Sequence, residues 1–152
     1  MEFIARYSFL FKSPQRGVQG CENQIEQGGS IMASYQTKDI RNIALMGHGS
    51  EGKTTLMEAL LFAAGAIDRQ GRVEDGNTVT DYDAEEIKRK ISISAAIAPI
   101  DWNQKMLNVI DVPGYFDFVG EMMGPLRVVE TAAILVSAVS GIAFGTVQAW
   151  DY

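Results

Sequence analysis

The chain has 152 residues, the length of a single domain, and its 19 acidic residues outnumber its 13 lysine and arginine residues to give a net charge of −6. This charge argues against a module that coats duplex nucleic acid or an anionic membrane, because such modules present a basic face. No apolar run approaches the roughly 20 residues that span a bilayer, and the single Cys21 excludes an intrachain disulfide and fits a reducing compartment.

The first 35 residues differ in composition from the rest of the chain. They show no periodic apolar pattern after Phe11, contain several glycine and glutamine residues, and lead to a second methionine at Met32. A segment of this kind buries too little apolar surface to offset the entropy lost when it is ordered. We therefore predict a flexible or upstream extension over residues 1–35 and a folded domain over residues 36–152.

A predicted strand over residues 42–46 leads into a run that satisfies the phosphate-loop pattern G-x-x-x-x-G-K-[ST]. The run consists of Gly47, His48, Gly49, Ser50, Glu51, Gly52, Lys53 and Thr54. A helix is predicted directly after it, over residues 53–64, because apolar residues recur there four positions apart, and Gly65 is its expected C-terminal stop. The order of strand, loop and helix predicts a nucleotide site.

Each part of this loop has a chemical task. Gly47, Gly49 and Gly52 allow a tight backbone turn, since glycine tolerates the positive φ angles that side chains disfavour. The loop amides and the helix N-terminus then form an anion cradle. Lys53 adds a positive charge for the β- and γ-phosphates, and the Thr54 hydroxyl is a ligand for Mg²⁺.

The connection over residues 66–89 lacks apolar periodicity and is longer than compact domains normally contain unless it is functional or disordered. A short helical turn is expected to begin at Asp83, whose side chain can cap it while Glu86 reciprocates. Alternation of apolar and small residues predicts a half-buried strand over residues 91–98. Residues 101–104 would turn it into an antiparallel partner over residues 106–110.

This second strand runs into Asp111-Val112-Pro113-Gly114, a D-x-x-G pattern. Such a strand can bring Asp111 close enough to hold a water molecule of Mg²⁺, and the Gly114 amide can approach a γ-phosphate because no Cβ intervenes. By itself the pattern is equally typical of an ordinary turn at the end of a strand. Its position after a phosphate loop and an apolar strand favours the functional interpretation.

The remaining residues predict a helix over residues 119–129, despite its internal glycines and Pro125, and a parallel strand over residues 132–139 that is buried on both faces. The outer edge of that strand would have no partner within the chain.

Four blocks together resemble the GTP-binding domain of translational GTPases, in particular elongation factor G and its elongation factor G-like paralogues. The blocks are residues 47–56, Thr80-Asp81-Tyr82-Asp83, residues 88–95 and residues 111–118, within a resemblance that spans residues 39–151. The resemblance implies an α/β P-loop NTPase G domain with a mostly parallel sheet and one antiparallel strand pair. Residues 36–152 would then be a partial GTP-binding domain, truncated at its C-terminal end.

The resemblance also implies a set of ligands and partners. GTP or GDP and Mg²⁺ would be bound, the ribosome would be the partner, and the protein would be cytoplasmic. Neither a membrane nor sequence-specific nucleic acid is an expected partner of this domain. The predicted nucleotide-binding residues are Gly47, His48, Gly49, Ser50, Glu51, Gly52, Lys53, Thr54, Thr55, Asp111 and Gly114.

Roles in catalysis and metal binding carry over by position. Lys53 and Gly114 would act on the phosphates, while Thr54, Ser92 and, through water, Asp111 would hold the metal. By the same resemblance, the connection over residues 66–89 and the block at residues 88–95 correspond to the first switch of the family, and Asp111 and Gly114 belong to its second switch. Ser92 stands where the first switch has a threonine, and it keeps the hydroxyl. Tyr115 stands where elongation-type members have a histidine that positions the attacking water, and a phenol with a pKa of about 10 has a different reach. Tyr115 is therefore the catalytic candidate whose competence is open.

Several functions stay compatible with these residues. A GTP hydrolase is the first, and a nucleotide-gated ribosome-binding module with little or no hydrolysis is the second. An ATP-using phosphate-loop enzyme is a third, because the Asn-Lys-x-Asp run that reads guanine is absent from the 152 residues. An inactive truncated product is the fourth.

Overall fold

The computed structural model describes residues 35–152. The predicted extension over residues 1–35 therefore lies, apart from Tyr35, outside the described residues and stays a prediction. The described strands are β1 (Ile40–Met46), β2 (Ala96–Trp102), β3 (Lys105–Asp111) and β4 (Thr131–Ile134), and the α-helices are α1 (Lys53–Ala63), α2 (Ala84–Arg89), α3 (Gly120–Leu126) and α4 (Phe144–Asp151).

The four strands form one sheet in the order β2-β3-β1-β4. Strand β1 pairs in parallel with both β3 and β4, while β2 pairs antiparallel with β3. This confirms the predicted α/β domain with a mostly parallel sheet and one antiparallel strand pair. Because β1 and β3 are parallel neighbours, their carboxyl ends, Met46 and Asp111, lie at the same edge of the sheet.

The core lies on both faces of the sheet. On one face, Leu45 and Val109 pack with Met57 and Leu61 of α1. On the other face, Ala44, Met46 and Ile110 pack with buried residues of α3 and α4, Met122 and Ala149. Alternate residues of β1 and β3 thus contact opposite helical layers, which is why these two strands are apolar at consecutive positions.

Helix α1 begins at Lys53 as predicted and ends at Ala63, one residue before the predicted end. Gly52, in the left-handed region, precedes it, and Gly65 follows it with φ +72°. The Ala66 amide donates to the Leu61 carbonyl at 2.9 Å, which closes the C-terminal turn. The expected capping box of α2 is also confirmed, with Asp83 as N-cap and Glu86 as its reciprocal partner.

The strand predicted over residues 91–98 is wrong in its boundaries, because β2 begins only at Ala96. The backbone amides of Ile93 and Ser94 donate to the Glu86 carboxylate at 2.9 and 3.0 Å, and the Ala95 amide donates to Glu121 at 3.1 Å. These amides are satisfied by side chains of α2 and α3, so they make no ladder hydrogen bonds. The hairpin that follows was predicted, but its turn is shorter than residues 101–104: Asp101 and Trp102 belong to β2, and only residues 103 and 104 turn.

The strand predicted over residues 132–139 is also shorter than expected. Strand β4 ends at Ile134, and its first two residues are exposed rather than buried on both faces. Beyond it, the Ser137 hydroxyl accepts from the amides of Val139 and Ser140, and the Ser137 carbonyl accepts from Gly141. A local serine-centred turn therefore replaces the strand.

Helix α3 stops at Leu126, three residues before the predicted end. The Val128 carbonyl accepts from the Asn42 side chain at 2.8 Å, which draws the chain toward β1. Helix α4 was not predicted, and its N-cap position is occupied by Ala143, which is not a residue type that typically marks a helix start. Of residues 35–152, no helix is both long and apolar enough to cross a membrane.

Candidate functional site

The phosphate-loop residues lie at the carboxyl end of β1, between that strand and α1. Gly47 and Gly52 have φ angles of +132° and +86°, so both use the freedom predicted for glycine. Gly49 has no positive φ. It is required by close approach instead, because a Cβ there would lie 2.6 Å from the Tyr115 ring. Ser50 adopts the left-handed region at φ +62°, which sequence reasoning did not predict.

Helix α1 presents its N-terminus to this loop. Within residues 35–152, no side chain caps its first turn, so its leading amides remain available to an anion. The Lys53 ammonium donates to the carbonyls of Gly47 and His48, at 3.2 and 2.7 Å. Burial lowers the pKa of Lys53, while the nearby carboxylates, above all Asp111, act in the opposite direction. Lys53 is therefore a buried cation held inside the loop.

Glu51 and His48 support the loop from behind. The Glu51 carboxylate accepts from the His48 amide at 3.1 Å and from the Thr146 hydroxyl at 3.4 Å. Gly145 of α4 packs so closely on His48 that a Cβ would lie 2.8 Å from its Nδ1 atom. Both side chains thus contact α4, and the small residues of α4 that buttress the loop were missed because α4 itself was not predicted.

The second-switch residues extend from the end of β3. Asp111 is buried, and its Oδ2 atom accepts from the Thr80 hydroxyl at 3.0 Å, whereas its Oδ1 atom has no hydrogen-bond partner among residues 35–152. Burial raises the pKa of Asp111 to about 6, against the smaller opposing effects of the Thr54 and Thr80 hydroxyls. A cation beside Asp111 would favour its charged form.

Gly114 lies directly against the phosphate loop. A Cβ at this position would lie 2.7 Å from both the Gly47 carbonyl oxygen and the Gly49 amide nitrogen, and would also meet the Lys53 ammonium. Only glycine allows this approach. The phosphate loop and the D-x-x-G turn, although distant along the chain, are therefore in contact at Gly114.

The first-switch segment completes the metal side of the site. The Ser92 hydroxyl lies 3.2 Å from the Thr54 hydroxyl, so the structure brings together the two residues that were predicted to hold the metal directly. The Thr54 hydroxyl also acts on Asp111, because it lowers the pKa of that carboxyl. The oxygen-rich surroundings match the ligands that Mg²⁺ prefers.

Asp81 is a site residue that sequence reasoning did not assign. Only 4% of it is exposed, and among the described residues neither carboxylate oxygen has a hydrogen-bond donor in good geometry. Burial raises its pKa, and the nearby Ser92 hydroxyl acts in the opposite direction. A buried carboxylate without a partner is costly, and a bound cation beside Asp81 would offset that cost. Its position in the block at residues 80–83 was the available signal.

Tyr115 covers the loop rather than standing apart from it. Its ring lies over Gly49, and its hydroxyl lies 3.2 Å from the Ser50 hydroxyl. The His48 ring is 6.3 Å away, centroid to centroid. In this arrangement the phenol closes the side of the loop that Gly114 also approaches.

A cavity of about 230 Å³ lies between these segments. It is smaller than the ~300–1,000 Å³ of typical small-molecule sites. The predicted site residues that line it are Gly49, Ser50, Gly52, Lys53, Thr54, Thr55, Ser92, Gly114 and Tyr115, together with Asp81. The other predicted binding residues, Gly47, His48, Glu51 and Asp111, do not line it.

Comparison with known proteins gives consistent relatives. The family profile described as the elongation factor Tu GTP-binding domain matches residues 38–152. Ribosome-releasing factor 2, mitochondrial, of Candida dubliniensis is 38% identical over 121 residues, which are 80% of this chain and 15% of that protein. The elongation factor G-like protein of Mycobacterium tuberculosis is 40% identical over 112 residues, or 74% of this chain and 16% of that protein.

Among solved structures, a protein from Thermus thermophilus superposes with a TM-score of 0.72 at 45% identity. The superposition covers 74% of this chain and 17% of the Thermus protein. This chain thus spans about one-sixth of the length of the proteins that it matches.

Proposed function

This chain belongs to the elongation factor Tu GTP-binding domain family of translational GTPases, and on that premise we propose that it binds GTP and GDP with Mg²⁺ and hydrolyses GTP in a ribosome-associated step of protein synthesis. The observation that carries the proposal is the meeting of three segments distant in sequence. Lys53 and Thr54 of the loop, Ser92 of the first switch and Gly114 of the second switch line one cavity.

The residues present fit Mg²⁺. Thr54 and Ser92 would bind it through their hydroxyls, and Asp111 and Asp81 would hold its water molecules. Both carboxylates are buried, and each has at least one oxygen that accepts no hydrogen bond from the described residues. The water molecules of a hydrated cation would donate the missing hydrogen bonds. When bound, the ion neutralises charge on the β- and γ-phosphates.

The protein groups around the phosphates act by position and charge. Lys53 would exchange the carbonyls of Gly47 and His48 for phosphate oxygens. The uncapped amides at the start of α1 would bind the same anion. The Gly114 amide would approach the γ-phosphate, so the second switch would adopt different positions with GTP and with GDP.

The ribosome as partner and the cytoplasm as compartment are further parts of the proposal. Relatives named ribosome-releasing factor 2 and elongation factor G-like protein support a translational partner. The single cysteine supports a reducing compartment, while the word mitochondrial in the first relative's name offers the competing location. We do not assign sequence-specific nucleic-acid binding to this domain.

The packing of Tyr115 favours a second candidate, a nucleotide-gated ribosome-binding module with little or no hydrolysis. Its ring is seated on Gly49 and its hydroxyl contacts Ser50, so in this position it closes the loop. A residue that positions an attacking water must contact that water. The two candidates therefore differ in whether the phenol leaves Ser50 when the ribosome binds.

The proposed function is tested with the 152-residue chain, GTP, Mg²⁺ and purified ribosomes. We expect Mg²⁺-dependent binding of GTP and GDP by calorimetry, slow phosphate release from the chain alone, and faster release with ribosomes. Binding of GTP and ribosomes without any phosphate release would establish the nucleotide-gated module instead. Failure to bind either nucleotide would contradict both candidates.

Replacing Tyr115 by phenylalanine separates the hydroxyl from the ring. The ring of Tyr115→Phe still covers Gly49, so the fold should be unchanged, whereas a hydroxyl that positions water is lost. We expect ribosome-stimulated phosphate release to fall at least about tenfold with GDP affinity unchanged. Tyr152→Phe, at the exposed end of α4, is the matched control. If Tyr115→Phe releases phosphate at the wild-type rate, the hydroxyl has no catalytic part.

A further inference from the structure

Glu58 on α1 is a buried carboxylate that the proposed nucleotide chemistry does not use. Only 1% of it is exposed. Its two oxygens accept hydrogen bonds from two backbone amides, Oε2 from Gly71 at 2.7 Å and Oε1 from Val79 at 2.6 Å. Within residues 35–152 none of the salt bridges involves Glu58. The charge is therefore stabilised by the backbone of one segment, residues 71–79.

Around the Val79 amide that donates to Glu58, in residues 78–81, the polar side chains are buried and the apolar side chain is exposed. Thr78, Thr80 and Asp81 are 8%, 3% and 4% exposed, whereas Val79 between them is 45% exposed. Burial of polar side chains gives no favourable transfer free energy, and an exposed valine forgoes it. Hydrophobic burial alone therefore does not explain this orientation, and the polar contacts of the segment must hold it.

Those contacts run in sequence from α1 to the metal side of the site. Glu58 accepts from the Val79 amide, the next residue, Thr80, donates its hydroxyl to Asp111 at 3.0 Å, and Asp81 lines the cavity. If the Val79 amide no longer bonded to Glu58, Thr80 and Asp81 would also be free to move, because they follow Val79 directly along the backbone.

The other end of the segment is built for the same carboxylate. A Cβ at Gly71 would lie 2.5 Å from the Asn77 carbonyl oxygen and 2.9 Å from Glu58 Oε2. The Arg72 amide donates to the Asn77 side chain at 2.7 Å, which closes the loop between the two anchored amides. The two ends of the loop, Gly71 and Val79, therefore both donate hydrogen bonds to the Glu58 side chain.

We propose that Glu58 is a positioning residue: it fastens residues 71–79 to α1 and thereby places Thr80 and Asp81 at the metal side of the nucleotide site. This proposal rests on the proposed function. The first switch is then attached to α1, the helix that begins with Lys53 and Thr54. Thr54 and Asp81 are therefore both positioned by this one helix.

The test is Glu58→Gln in the 152-residue chain. The glutamine keeps one carbonyl oxygen but places an NH₂ group against the second backbone amide, so one buried donor loses its acceptor. In the absence of nucleotide, we expect the exchange of the Gly71 and Val79 amide protons to accelerate about tenfold or more. With GDP, we expect affinity in Mg²⁺ to fall about tenfold, and affinity in EDTA to match that of the wild type.

Two further variants keep the test decisive. Leu61→Val, also buried on α1, lowers core stability without touching the segment and should leave the Mg²⁺ dependence intact. Gly71→Ala disturbs the same contact from the loop side and leaves the α1 sequence unchanged. It should therefore show the same loss of GDP affinity in Mg²⁺ but not in EDTA, even if Glu58→Gln folds poorly.

Three results would overturn the proposal. One is faster amide exchange with unchanged affinity in Mg²⁺, and another is an equal loss of affinity in Mg²⁺ and in EDTA. The third is a wild-type chain whose GDP binding is independent of Mg²⁺, which would remove the proposed function as well. The wild-type measurement thus distinguishes failure of the function from failure of the anchor.

Discussion

Lys53→Ala is expected to weaken binding of GTP and GDP by about 100-fold, since the loss of charge-assisted hydrogen bonds to two phosphates costs about 3 kcal/mol. The structure adds a second reason. Lys53 is the cation that lies among the buried carboxylates Asp111 and Asp81, and its charge opposes the rise in their pKa. Without it, the charges of Asp111 and Asp81 would repel the incoming phosphates with less compensation.

The measurement is titration calorimetry with GDP in Mg²⁺, with the melting temperature followed in parallel. Lys88→Ala is the matched control, because the Lys88 side chain is exposed and forms a surface ion pair with Glu85 on α2. It should bind as the wild type does. Equal GDP affinities for Lys53→Ala and Lys88→Ala would contradict the assignment of the phosphate site.

Gly114→Ala is expected to have the second-largest effect, and to act on GTP more than on GDP. Its Cβ would lie 2.7 Å from two backbone atoms of the phosphate loop, at Gly47 and Gly49, which cannot move aside as a side chain can. The second switch must then withdraw from the loop, and its amide from the γ-phosphate. We expect a loss of GTP affinity of about tenfold or more, on the scale of one hydrogen bond to a charged group.

Gly124→Ala provides the control for this prediction. Gly124 lies within α3, and a Cβ there would meet no atom within 4 Å. Alanine is favoured over glycine in a helix by about 0.5–1 kcal/mol, so this variant should be slightly stabilised and should bind both nucleotides normally. A Gly114→Ala protein with the wild-type ratio of GTP to GDP affinity would show that Gly114 does not sense the γ-phosphate.

The parts of the site that the sequence predicts are those in which function depends on local backbone geometry. In the phosphate loop, strand, turn and helix follow one another without interruption, so the spacing of Gly47, Gly52, Lys53 and Thr54 already dictates their relative placement. The D-x-x-G turn is predictable for the same reason, because Asp111 ends a strand. The roles assigned to these residues stay predictions until binding is measured.

The parts that were missed depend on contacts between distant segments. The sequence around Asp81 is typical of a solvated loop. In the structure Asp81 is buried, next to Thr80, which donates to Asp111, and two residues after Val79, whose amide donates to Glu58. Likewise, Ile93 and Ser94 have the alternation of a strand, but the Glu86 carboxylate takes their amides. Local propensity gives no sign of which distant acceptor a backbone amide will find.

The sequence by itself thus determined the family of the domain, the strand-loop-helix unit with its phosphate-binding chemistry, and the antiparallel hairpin beside a parallel sheet. Those features follow from periodicity and from glycine, lysine and aspartate at set spacings. Only the tertiary structure decided that Tyr115 is seated on Gly49, that α4 buttresses the loop through Gly145 and Thr146, and that the Glu58 carboxylate accepts a hydrogen bond from the Gly71 amide. These are encounters between residues 13 to 95 positions apart, and they exist only after the sheet has brought the ends of β1 and β3 to one edge.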